Sequence, residues 1–257
     1  MASLQRFDGR RIIITGAGSG IGQATVARLL AEGGKVVAFD VSKPGLAATA
    51  EAAKAAGHAD RLTTAVVDIS SEASVKDGVA AAIAGLGGLD VLVNAAGILR
   101  SSHTAQTSLE FWNTIITTNL TGTFLMTREA LPALLETGAG VIVNFSSTSA
   151  SFAHPYMAAY AASKGGIQAF THAIALEYTK QGLRAVCVAP GSIQSGMTSN
   201  PGIPQDADWA LFAKLSPSSG AGFAGADKVA SAIAMLASED GAFITGTELR
   251  IDGGTHM

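Results

Sequence analysis

The chain is poor in the features that would commit it to disulfide, metal, nucleic-acid or membrane chemistry. It has one cysteine in 257 residues, so no intrachain disulfide can form, and Cys187 sits in the apolar run Ala185-Val186-Cys187-Val188, which reads as a buried strand. Five histidines, at positions 58, 103, 154, 172 and 256, show none of the short pairings that zinc sites use, and no metal is expected. No run of Lys or Arg is longer than Arg10-Arg11, and the net charge is -3, which argues against a nucleic-acid or anionic-membrane surface. The segment from Met1 to Arg11 has no apolar stretch of signal-peptide type, and nowhere do about 18 apolar residues run uninterrupted. A cytoplasmic protein acting on small molecules is the expectation. With 48% hydrophobic residues, 14% charged residues and seven prolines, the chain can bury a large core. No linker, low-complexity tract or repeat divides it, so residues 1–257 are read as one domain.

What is present is alternation. Strand-like runs at Arg11–Thr15, Lys35–Asp40, Leu62–Asp68, Leu89–Asn94, Val141–Phe145, Arg184–Val188 and Glu248–Ile251 interleave with helical segments at Gly20–Glu32, Leu46–Ala56, Ser74–Ala84, Ser108–Asn119, Leu120–Leu135, Ala158–Lys180 and Asp227–Leu236. That order predicts an α/β fold of Rossmann type, a doubly wound seven-stranded parallel sheet with helices on both faces. Residues 191–225 break the rhythm. Gly, Ser and Pro recur there beside Met197, Ile203, Trp209, Leu211, Phe212 and Phe223, the composition of a variable loop over a substrate pocket.

Thr15-Gly16-Ala17-Gly18-Ser19-Gly20-Ile21-Gly22 follows the first strand and opens the first helix. Without Cβ atoms the backbone turns tightly and admits a pyrophosphate, whose charge the helix N-terminus favours. Gly16, Ser19, Gly20, Ile21 and Gly22 are therefore cofactor-binding candidates. The second strand ends at Asp40, where a carboxylate accepts hydrogen bonds from an adenosine ribose and would repel a 2′-phosphate. Neither Ser19 nor Val41 supplies a compensating Arg, so NAD is predicted over NADP.

Tyr160 and Lys164 stand four apart on a helical segment, one turn from each other on the same face. A phenol loses its proton near pH ~10, and an adjacent ammonium stabilises the phenolate; bringing it to ~7 takes about 4 kcal/mol.

With these residues in view, the chain resembles the short-chain dehydrogenases/reductases over nearly its whole length. The spacing Gly16, Gly20, Gly22 is that family's, and Asn94-Ala95-Ala96-Gly97 matches its segment after the fourth strand. The resemblance implies cofactor contact around Asn94, Ala95 and Gly97, with Asn94 also stabilising the sheet, and Asp68 with Ile69 bracketing the adenine. It implies catalytic roles for Asn119, Ser147, Tyr160 and Lys164. Ser147, 13 positions before Tyr160, is selected over Ser146 by the family's spacing; Asn119 would distort its helix and hold a water in a proton relay to the lysine. Tyr160 and Lys164 would also touch the cofactor, and Pro190, Gly191, Ile193 and Ser195 resemble the loop that holds the nicotinamide carboxamide, with Ser195 where Thr is usual. Tyr156 is a decoy, since Tyr160 stands where its lysine would be needed.

The implied activity is a reversible, NAD(H)-dependent hydride transfer between nicotinamide and a secondary alcohol or ketone. The alternatives are a 3-oxoacyl acyl-carrier-protein reductase or 3-hydroxyacyl-CoA dehydrogenase, and a non-catalytic NAD-binding sensor. Against the first stands Gly222-Phe223-Ala224-Gly225-Ala226-Asp227, where bacterial members of that group typically carry Arg-Phe-Gly and Pro-Glu. The pocket wall is expected from Ile98, Leu99, Ser149, His154, Tyr156, Met197, Trp209 and Phe212. The family's usual homotetramer pairs the helices of Asn119 and Tyr160, and Ile167, Phe170 and Ile174 form an apolar stripe on the latter.

Overall fold

A computed structural model describes residues 4–194, 196–218, 220 and 222–257. Seven strands form one sheet in the order β3-β2-β1-β4-β5-β6-β7, all pairs parallel. They are β1 (Arg11–Thr15), β2 (Lys35–Asp40), β3 (Leu62–Val66), β4 (Val91–Asn94), β5 (Val141–Phe145), β6 (Arg184–Pro190) and β7 (Glu248–Ile251). The helices are α1 (Gly20–Ala31), α2 (Lys43–Ala55), α3 (Glu72–Leu86), α4 (Leu109–Ile116), α5 (Gly122–Glu136), α6 (Ala158–Tyr178), the short α7 (Gly196–Ser199) and α8 (Ala226–Ala237). This is the doubly wound Rossmann architecture that the alternation predicts.

The strands are apolar on both faces because both are covered. Side chains alternate across each strand, so Ile12 and Ile14 pack under α1 and α8 with Leu29, Leu30, Val229 and Ile233. Ile13 and Leu92 point the other way, against α3 and α5 through Val75, Val79, Met126 and Leu134. The strand order reverses between β1 and β4, and in such sheets a crevice opens there beyond the strands' carboxyl ends.

Several boundaries differ from expectation for local reasons. β3 stops at Val66, and Asp68 leaves the sheet to accept hydrogen bonds from the backbone N–H and hydroxyl of Ser70 at 2.9 and 2.6 Å. α2 starts three residues early, with Ser42 capping the Gly45 N–H at 3.1 Å and Pro44 in the first turn. The expected helices at Ser108–Asn119 and Leu120–Leu135 are not separated by a loop. A π-helical turn, Thr117–Thr121, joins α4 to α5 and carries Asn119 at its centre.

Candidate active site

A continuous cleft of about 870 Å³ runs along the carboxyl ends of the strands, from Asp40 and Asp68 at one end to Tyr160 at the other. Of the residues singled out from the sequence, Gly16, Ser19, Gly20, Ile21, Gly22, Asp40, Asp68, Ile69, Ala95, Gly97, Ser147, Tyr160, Lys164, Pro190, Gly191 and Ile193 all border it. Ser195 lies outside the described residues.

The glycine turn is shaped by close backbone approach. Gly16 has φ +66°, and a Cβ on it would lie 2.8 Å from the backbone of Ala96. A Cβ on Gly22 would sit 2.1 Å from the carbonyl oxygen of Gly16. Ser19, at the start of α1, makes no side-chain capping bond, so its hydroxyl leaves the first helical N–H groups free for an anion. Asp40 closes this end, its carboxylate accepting the N–H of Gly18 at 2.9 Å and of Ser42 at 2.8 Å. A tight anion-binding turn, an acidic stop on β2 and a cleft long enough to continue to Tyr160 fit a dinucleotide.

At the other end, β5 delivers Ser147 and α6 delivers Tyr160 and Lys164. Lys164 is buried, its Nζ donating to the Phe145 carbonyl at 2.8 Å and lying 5.7 Å from the centre of the Tyr160 ring. Burial pushes Lys164 down to about 8. Tyr160 is half-buried, yet desolvation pushes its phenol up to about 12, with the Ser147 hydroxyl pulling the other way. Desolvation is the largest influence on the hydroxyl here; the expected lowering rests on Lys164 together with the positive charge of the oxidised nicotinamide.

Two candidates lie behind the cleft wall. Asn119 is fully buried, with Oδ1 accepting the Ile98 N–H at 2.8 Å and Nδ2 donating to the Ile98 carbonyl at 2.9 Å and to Ser163 at 3.0 Å. It splints the Gly97-Ile98 segment to the π turn and α6. Asn94, expected among the cofactor contacts, turns into the core instead. It donates to Asn144 at 2.9 Å and Thr127 at 3.3 Å, and Asn144 donates in turn to Thr171 at 2.9 Å. This buried polar ladder fixes β4 and β5 against α5 and α6.

Of the expected pocket wall, Ile98, Leu99, His154, Met197 and Phe212 border the cleft, and Ser149, Tyr156 and Trp209 do not. Ser149 is buried behind Ser147, and Trp209 is 63% exposed. Tyr156 has φ +64° and its hydroxyl accepts the Asp208 N–H at 2.8 Å, so it anchors the 191–225 segment from outside. Ile167 and Ile174 are core residues, so that stripe serves the chain's own packing. Thr148, Thr255 and His256 border the cleft without having been singled out. Thr148 adjoins Ser147, a usable signal, whereas the penultimate His256 has none.

The fold and site together define a nicotinamide-dependent oxidoreductase. Residues 10–204 match the family model described as short chain dehydrogenase, and the chain belongs to that family. It is 33% identical over 249 residues to the 3-oxoacyl acyl-carrier-protein reductase of Thermotoga maritima, covering 97% of this chain and 98% of that one. It is 37% identical over 248 residues to 2-(R)-hydroxypropyl-CoM dehydrogenase of Xanthobacter autotrophicus, covering 95% and 97%. A short-chain dehydrogenase from Mycobacterium paratuberculosis, solved bound to NAD, superposes with TM-score 0.90 at 26% identity, covering 97% of this chain and 98% of that chain. The non-catalytic alternative does not apply to a member that keeps Ser147, Tyr160 and Lys164 on one cleft.

Proposed function

We propose that the protein is an NAD(H)-dependent dehydrogenase that interconverts a secondary alcohol and its ketone. The carrying observation is the convergence of Ser147, Tyr160 and Lys164 on the wall of a cleft whose far end is the glycine turn and the Asp40 carboxylate. Gly16 to Gly22, Asp40, Asp68, Ile69, Ala95 and Gly97 would hold the adenosine and phosphates, and Pro190, Gly191, Ile193 and Ser195 the carboxamide. The nicotinamide supplies the hydride and, when oxidised, a positive charge.

The chain's own part is proton management. Ser147 donates to the substrate oxygen, and Tyr160 exchanges the proton with it. With its phenol up at about 12, Tyr160 holds its proton at neutral pH and is ready to give it to a developing alkoxide. Alcohol oxidation asks the reverse, and lowering the phenol from about 12 to ~7 requires roughly 7 kcal/mol, which calls for positive charge close by. Lys164, down at about 8, still carries most of its charge at pH 7, and Asn119 positions the wall beside it. The relay role of Asn119 through water belongs to this reading.

The Thermotoga relative keeps a second reading open, reduction of 3-oxoacyl thioesters. Turnover with NAD against NADP, over ketones and acyl thioesters, separates the two; NADPH preference with thioesters favours the second. Replacing Tyr160 by Phe should lower kcat/KM by at least about 10³ while NADH still binds, as followed by its fluorescence. A Phe variant within tenfold of wild type would sink the assignment. A homotetramer is part of the proposal, supported by exposed Leu109, Phe124 and Leu176 on α4, α5 and α6. So is a cytoplasmic site of action, consistent with no helix among the described residues being long and apolar enough to cross a membrane.

A further inference from the structure

Gly18 is a glycine without the usual reason for one. Its neighbours Gly16 and Gly20 have φ +66° and +53°, in the left-handed region that favours glycine, whereas Gly18 is not among the described residues with positive φ, and its backbone is open to an ordinary side chain. The family's spacing, Gly16, Gly20 and Gly22, leaves position 18 free. What a side chain there would meet is Asp40: a Cβ on Gly18 would lie 2.9 Å from Cγ, 3.0 Å from Oδ2 and 3.3 Å from Cβ of that residue. Cβ atoms essentially never approach within 3.0 Å of another heavy atom, so one of the two groups would have to move.

The carboxylate is the group that moves. Gly18 is closely packed by the first turn of α2, where a Cβ on Gly45 would lie 2.6 Å from the Gly18 carbonyl oxygen, and the Ala17 N–H is tied to the Phe39 carbonyl at 3.0 Å. Asp40 by contrast ends in a rotatable carboxylate, half-buried and bordering the cleft. In place, that carboxylate is a clip between two backbone segments. Oδ2 accepts the Gly18 N–H at 2.9 Å and Oδ1 the Ser42 N–H at 2.8 Å. A carboxylate has about four acceptor sites, two on each oxygen. One therefore remains on each, a pair matched to the adjacent 2′- and 3′-hydroxyls of a ribose and fixed in direction by the two backbone bonds.

We propose that Gly18 is a positioning residue for cofactor choice: its missing side chain lets the Asp40 carboxylate lie against the glycine turn, in the orientation that accepts ribose hydroxyls and opposes a 2′-phosphate. Gly18 is not among the residues that border the cleft, and it acts through Asp40. An alanine at this position pushes the carboxylate off the Gly18 N–H. The ribose then loses a preoriented charged acceptor, and a 2′-phosphate meets a charge that can swing away from it. Both changes narrow the margin between NAD and NADP. This role rests on the NAD reading above and adds a residue to it.

The test measures binding, by fluorescence titration of NADH and of NADPH, in the wild type, in Gly18→Ala, in Asp40→Ala and in the variant that carries both changes. Wild type should bind NADH more tightly, and in Gly18→Ala the ratio of the two Kd values should shift toward NADPH by about 5- to 50-fold. The thermal midpoint of Gly18→Ala should stay within about 3 °C of wild type, because a side chain and not the main chain gives way. In the Asp40→Ala background the same alanine has no carboxylate to displace, so it should change the ratio by less than about twofold. An unchanged ratio in Gly18→Ala, or the same shift with and without Asp40, overturns the positioning role while the wild type's preference for NADH stands. A much larger loss of melting temperature means that the turn yields in place of the carboxylate, and overturns the role as well. A wild type that prefers NADPH strikes the NAD reading itself, and the role of Gly18 falls with it.

Discussion

The two ends of the cleft are made of different material. The nucleotide end is backbone: a turn in which Gly16 and Gly22 pass within contact distance of neighbouring main chain, closed by Asp40 accepting two backbone N–H groups. The substrate end is side chains gathered from separate places, Thr148 after β5, His154 before α6, Phe212 in the 191–225 segment and His256 after β7. A backbone site tolerates few residue types at fixed spacing, whereas a side-chain site can be rebuilt one residue at a time. The first end can serve one cofactor throughout a family while the second is free to vary in what it admits.

The contrast breaks most sharply at Gly22. An alanine there places Cβ 2.1 Å from the Gly16 carbonyl, a main-chain contact that no rotamer relieves. Gly22→Ala should cost about 3 kcal/mol or more of stability, and NADH affinity with it, measured by thermal melting and fluorescence titration. A variant with wild-type melting and affinity would show that the turn is not held by close approach.

Lys164 lies at the seam between the two ends. Lys164→Met should lower kcat/KM by at least about 10², and it should also change how stability depends on pH. The lysine sits at about 8 in the fold against 10.5 when exposed, so the unfolded chain binds more protons between those values. The burial cost, on the order of 3 kcal/mol, is fully present below pH ~8 and disappears as pH rises toward ~10.5. Wild type should therefore gain on Lys164→Met in melting temperature from pH 7 to pH 10. Parallel curves would mean that the ammonium is not desolvated.

At Asp40 the effect is smaller and concerns choice of cofactor. Asp40→Ala removes the charge that faces a 2′-phosphate, and the ratio of kcat/KM with NAD to that with NADP should fall by about 10- to 100-fold. An unchanged ratio would remove the carboxylate from cofactor selection.

The same contrast explains what could be read without coordinates. The sheet and the nucleotide end were legible because their physics is local: alternating hydrophobicity places the strands, and glycine spacing marks a turn that admits no side chains. That Tyr160 and Lys164 share a face was legible from helical spacing, whereas the choice of Ser147 over Ser146 came from the family resemblance. Asn94 was half legible: the ladder to Asn144 and Thr127 is the sheet-stabilising role expected of it, while Ala95 and Gly97, and not Asn94, border the cleft. The fate of the Tyr160 proton was illegible in principle, since desolvation depends on everything packed around the hydroxyl and no pair spacing records it. His256 was missed for the same reason. It reaches the cleft only because Asp252 curls the tail, and Phe152 provides a flat surface a hundred residues away in sequence.

Tyr156 offers the finest cut between the two ends, because it stands four residues before Tyr160, outside α6, and does something else. Its backbone lies at φ +64°, in a region costly for an aromatic residue, and the surrounding contacts hold it there. Its carbonyl accepts the Ser102 N–H at 2.8 Å, its hydroxyl the Asp208 N–H at 2.8 Å, and its ring packs between His103 and Phe212 at 5.0 and 5.9 Å. Tyr156→Phe keeps the ring contacts and removes only the hydroxyl, at a site where the freed N–H is open to water. The expected cost is about 1 kcal/mol, concentrated in the segment it anchors. Amide exchange at Asp208 should therefore speed up about 2- to 10-fold, and KM should rise severalfold with kcat nearly unchanged. The Phe replacement at Tyr160 should do the opposite, sparing exchange at Asp208 and removing turnover. If Tyr156→Phe instead lowers kcat by orders of magnitude with exchange unaltered, the division of labour between the two tyrosines is wrong.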